Sequence, residues 1–215
     1  MTYRSRPPVL RRRIPISLAA VALALFSALP AAAQDADPLT KLDPASRYTI
    51  ETLVDSATTL GLPADYLRST ALQGVALKVD GRRIVDAVRK KFSLLKTAYA
   101  TLGPVGGEEL KAAASVLYAG AKPAQLIPFK ARQKDRNDLD AFVVWADLIT
   151  RGVPSDEASS AITKLWQDGA SDATFNGLWN SVQSDILKGL NPGAALQSRI
   201  RETPERSTGT KVSPP

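Results

Sequence analysis

Four glutamates, Glu51, Glu108, Glu109 and Glu157, are the side chains of this chain best suited to acid and base work, and Trp166 and Trp179 are those best suited to gripping a partner. A third group is cationic: Arg82, Arg83, Arg89, Lys90 and Lys96 recur at helical spacing. A lone glutamate in a groove can protonate a glycosidic oxygen, which is the carboxylate chemistry of cell-wall hydrolases and lyases. Helical lytic enzymes of the cell wall carry a Glu-Ser pair followed by aromatic motifs, and no glutamate here is followed by serine. Glu108 and Glu109 are neighbours, so on a helix they point about 100° apart and do not converge on one bond. Their place after Gly106-Gly107 suits the positive end of a helix dipole instead.

Other chemistries lack their residues. From residue 34 onward there is no Cys, His or Met, which excludes thiolate catalysis, histidine triads and the commonest transition-metal ligand. The phosphate, dinucleotide, zinc-protease, nucleophile-elbow and EF-hand spacings are absent too. No cofactor and no metal site is expected.

The elements that position these residues are organised around a repeat. Gly152-Val153-Pro154-Ser155-Asp156 repeats Gly61-Leu62-Pro63-Ala64-Asp65 at an offset of 91 residues, and Gly169-Ala170-Ser171 follows Lys78-Val79-Asp80 at the same offset. In the first pair a glycine just past one helix takes a left-handed position and a proline starts the next helix, and in the second pair each copy places an N-cap residue before a new helix. The spacing predicts two copies of one helical hairpin, 61–88 and 152–179, in a single compact all-α bundle of eight or nine short helices. The spacing matches neither the 34- nor the 33-residue helical repeats.

Along the chain, Asp43-Pro44 starts a helix through Ile50, Leu53, Val54, Ala57 and Leu60, and residues 63–77 give the next, where Gly74 marks close packing of another helix. Asp80 caps the longest helix, with Ile84, Val88, Phe92, Leu95, Tyr99 and Leu102 as its core stripe. The five cations then fall on the opposite side. That face is a candidate grip for anionic lipid or polymer, and its plainer reading is an ordinary solvated surface. Around Pro128 the chain is expected to be least regular and most mobile, whereas Leu139 to Ile149, apolar nearly all round, is expected to form the central buried helix. Trp166 and Trp179 occupy the places of Val75 and Val88 in the first copy. They are candidate partner contacts, with core filling as the plainer account.

Residues 1–33 read as a signal peptide: five arginines, an apolar run from Ile14 to Leu29, and Ala31-Ala32-Ala33 before Gln34. The leader holds five of 28 basic residues and no acid, so 23 basic residues remain against 21 acidic ones, a net charge of +2 instead of +7. That removes the case for nucleic acid. The domain plan is a signal peptide (1–33), a flexible lead-in (34–42), an all-helical domain (43–201) and a disordered tail (202–215). The functional expectation is an exported protein, periplasmic or extracellular, acting as a non-catalytic binding or scaffold module of the envelope. Its partner is then an envelope protein, with no stable membrane insertion after cleavage. The alternative is a carboxylate-dependent, cell-wall-active hydrolase or lyase.

Overall fold

The computed structural model describes residues 37–131 and 138–207. Among these residues the chain forms nine α-helices and no strand. Helices α1 (Pro44–Thr59), α2 (Ala64–Ala76) and α3 (Gly81–Leu102) make a first unit. Then come α4 (Gly107–Ala119), α5 (Pro123–Leu126) and a 3-10 turn over Ile127–Ala131. A second unit of α6 (Leu139–Thr150), α7 (Ser155–Gln167) and α8 (Asp172–Leu187) follows, and α9 (Pro192–Ser207) ends the described chain.

The repeat is visible in the helix boundaries. α1 and α6 end at Thr59 and Thr150, α2 and α7 begin at Ala64 and Ser155 and are 13 residues long, and α3 and α8 begin at Gly81 and Asp172. Every pair is 91 residues apart. The cause is local. Gly61 (φ 67°) and Gly152 (φ 93°) take the left-handed conformation, and their N–H groups donate to the carbonyls of Thr58 and Ile149 while the next N–H groups donate to Ala57 and Leu148. These paired bonds satisfy the carbonyls left open at the end of α1 and of α6. The next turn repeats the device, with Lys78 (φ 56°) in the first unit standing where Gly169 (φ 78°) stands in the second.

The expected caps form: Asp43 Oδ1 accepts from Ser46 N–H at 2.9 Å, and Asp80 Oδ1 from Arg82 N–H at 3.0 Å. α6 is the central helix, packing on α4, α7 and α8 and burying Phe142, Trp145 and Leu148 completely. Three expectations are corrected. The buried side of α3 runs through Val85 and Ala98, whereas Tyr99 is 40% exposed and Phe92 only half-buried, because α1, α2 and α4 all flank this helix. The lead-in is not irregular throughout: Asp37 caps a 3-10 turn over Pro38–Lys41 and pairs with Arg68, which buries Leu39. Helix α9 runs past the boundary at residue 202, and the pair Arg199 to Glu202 at 2.8 Å lies within it. The signal-peptide reading, residues 132–137 and the tail from 208 lie outside the described residues.

Candidate functional site: a groove in the second unit

In both units the first helix packs on the other two, α1 on α2 and α3 and α6 on α7 and α8, but the contact between those two is not shared. α2 packs along α3, whereas α7 and α8 do not pack along each other. The residues at the crossing explain the difference. In the first unit Gly74 faces Ile84, and a Cβ at Gly74 would lie 2.7 Å from Ile84 Cγ1, so only glycine lets the helices come this close. The corresponding residues of the second unit are Leu165 and Phe175. Two large side chains in place of a glycine and an isoleucine hold α7 and α8 apart, and both are buried, at 6% and 2% exposure.

The space so opened is a groove of about 890 Å³ between α7, α8 and α9. Leu165, Leu178 and Ile200 supply its apolar lining, and Lys164, Asp168, Arg199 and Glu202 its charge. Lys164 and Asp168 pair at 2.9 Å. α9 is fastened across one side by Arg199, whose Nε and Nη2 donate to the two carboxylate oxygens of buried Asp185 at 2.7 and 2.8 Å. This forked geometry fixes α9 more firmly than a single contact would. The Asp185 carboxylate, followed by that of Glu202, holds the Arg199 guanidinium above its ordinary pKa.

Gly177 lies in the middle of α8 on the groove wall, and a Cβ built there meets nothing within 4 Å. Neither packing nor a left-handed turn calls for glycine at that position, yet glycine costs a helix interior up to about 1 kcal/mol relative to alanine. Its effect is to bare the α8 backbone toward the groove.

A smaller groove of about 560 Å³ lies between α7 and α9 and includes Glu157, Ser160, Lys164 and Ile200. Glu157 is half-buried and accepts a hydrogen bond from Gln197 Nε2 at 3.3 Å. No aromatic side chain lines this groove. Glu51 pairs with Arg47 at 3.7 Å and Glu108 with Lys111 at 2.9 Å, both exposed. The four glutamates are thus not brought together.

Glu109 departs from the sequence reading: it sits in the first turn of α4 as expected, but it is buried, at 8% exposure. Its Oε1 accepts from the N–H of Asp138, itself 1% exposed, at 3.4 Å. Asp138 begins α6 without capping it, since its Oδ1 accepts instead from Trp166 Nε1 at 2.6 Å. The Trp166 ring lies 4.9 Å from that of Phe129, which in turn touches Phe142 and Trp145. Trp166 therefore knits α7 to α6 and to the turn at Pro128. That turn, expected to be irregular, is a 3-10 segment holding the fully buried Phe129. Trp179 is half-buried on α8, with the Arg151 guanidinium 5.4 Å from its ring centre.

The five cations of α3 are all exposed. Lys90 Nζ lies 4.4 Å from the centre of the Tyr118 ring, Lys96 Nζ 5.6 Å from that of Phe92, and Arg89 pairs with Asp86 at 3.8 Å. Arg82 and Arg83 have no ion-pair partner among the described residues. None of the described helices is long and apolar enough to cross a membrane. The chain matches no family model, no curated protein and no solved structure.

Proposed function

We propose that the protein is an exported, non-catalytic binding module of the cell envelope, and that the groove between α7, α8 and α9 receives a segment of a partner protein. The observation that carries this reading is Gly177. A glycine that weakens α8, meets no neighbour and faces a groove lets an incoming chain approach the helix backbone closely. The apolar lining with a charged rim is suited to an amphipathic peptide laid along it. Export rests on the apolar, arginine-led residues 1–33.

Affinity capture from envelope extract tests it, with residues 34–215 as wild type, Gly177→Ala and Gly177→Phe. One polypeptide should be retained by wild type, less by Gly177→Ala and not by Gly177→Phe, with equal helical circular dichroism throughout. Retention by Gly177→Phe at the wild-type level would remove the groove from the account.

A further inference from the structure

A second surface lies in the first unit and does not depend on the groove. At the α2–α3 turn Leu77 is 69% exposed and Val79 37% exposed, with Lys78 between them and Arg82 and Arg83 just beyond. Along α3, Arg82, Arg89 and Lys96 recur every seven residues and so form one line down the helix, roughly 21 Å long. Between residues 78 and 96 there are seven basic residues and two acidic ones, a net charge of +5, against +2 for all of residues 34–215. Both acids are engaged locally: Asp80 on the Arg82 N–H and Asp86 beside Arg89.

The second unit shows that the fold itself asks for none of this. It builds the same turn, with the same pair of backbone hydrogen bonds, from Asp168, Gly169 and Ala170, followed by Ala173 and Thr174. Where Gly169 takes the left-handed conformation at ease, the first unit places Lys78 at φ 56°, which strains a residue with a side chain. A costly lysine and two exposed apolar side chains thus stand at the head of a line of cations. We propose that this surface docks on an anionic phospholipid bilayer, with α3 lying along the headgroups and Leu77 and Val79 reaching the acyl boundary. Cations alone would suit any polyanion. The exposed Leu77 and Val79 favour a bilayer over a soluble polyanion, because its acyl boundary takes them out of water.

Residues 34–215, which contain the whole compact unit starting at Asp37, are mixed with phosphatidylcholine vesicles with and without phosphatidylglycerol, and bound protein is measured by co-sedimentation. Binding should require phosphatidylglycerol and weaken steeply with added salt. The triple variant Arg82→Gln, Arg89→Gln, Lys96→Gln should lose about a hundredfold in affinity, since each cation near such a surface contributes about fivefold. Replacement of the two arginines by lysine should retain binding, which separates charge from folding. Leu77→Ser should lose at least about fivefold. Equal binding to both kinds of vesicle would overturn the proposal. So would an unaffected Leu77→Ser variant with heparin bound as tightly as the vesicles, which would assign the surface to a soluble polyanion.

Discussion

One substitution, glycine to alanine, should act with opposite sign at two helix positions. At Gly177 the new methyl meets nothing within 4 Å, so only the backbone preference changes. For an exposed helix interior that preference is about 1 kcal/mol in favour of alanine. At Gly74 the same preference is opposed by contacts of 2.7 and 2.9 Å to Ile84 Cγ1 and Cδ1. Ile84 is 2% exposed and β-branched, so it has little freedom to move aside. Overpacking of this kind costs about 1–3 kcal/mol, and α2 and α3 must separate to relieve it. The net expectation is a loss of up to about 2 kcal/mol for Gly74→Ala and a gain of up to about 1 kcal/mol for Gly177→Ala. In a domain of this size 1 kcal/mol moves Tm by about 2–4 °C, so calorimetry and urea melts resolve both effects. Adding Ile84→Ala to Gly74→Ala should give less than the sum of the single losses, because the cavity left by one accepts the methyl of the other. Stabilisation by Gly74→Ala, equal to that by Gly177→Ala, would refute the claim that a glycine contact closes the first unit and its absence opens the second.

Further outcomes follow from the same geometry. Trp166→Phe keeps a ring beside Phe129 but removes the donor to Asp138, and should cost about 1–3 kcal/mol in urea melts, against under about 0.5 kcal/mol for the conservative Trp179→Phe. Lys78→Gly should raise stability by about 0.5–1 kcal/mol, measured the same way, by relieving its left-handed strain. The link between α2 and α4 should fail at both ends of the pH range. Hydrogen bonding from Lys111 holds the Asp65 carboxyl below its usual 3.8, so the unfolded chain binds more protons, and the contribution is lost as pH falls below about 4. Lys111 is held above its usual 10.5 by Asp65 and then Glu108, so its contribution is full below that value and is lost as pH rises through the raised one. Asp65→Asn should flatten both limbs of a plot of Tm against pH.

The parts legible in the sequence are those governed by backbone geometry. Gly61 and Gly152 had to mark left-handed stops, and Asp43 and Asp80 had to cap, because few residues satisfy those positions. The boundaries therefore fell in register without any knowledge of packing. Gly74 was legible as a close approach, and Ile84 is what approaches. What escaped depends on partners distant in sequence. Phe129 looked like part of an irregular stretch, yet Phe142, Trp145 and Trp166 gather around it from two later helices. Glu109 read as an ordinary first-turn residue, and nothing local says that it lies buried within hydrogen-bonding reach of Asp138, 29 residues on. The groove did have a signal: at the offset of 91 residues, Gly74 and Ile84 are answered by Leu165 and Phe175. Comparing the copies residue by residue at their crossing, as well as at their turns, exposes it.

Photo-crosslinking tests the groove as a receptor surface most directly. A photoreactive residue is placed at Thr174 or Ser181 on the groove wall, and for comparison at Thr52 on the exposed side of α1. After irradiation in intact cells, the account predicts one shared crosslinked polypeptide from the two groove positions, none from Thr52, and loss of that product when Gly177→Phe is added. The same product from Thr52, or a groove product that survives Gly177→Phe, would contradict it.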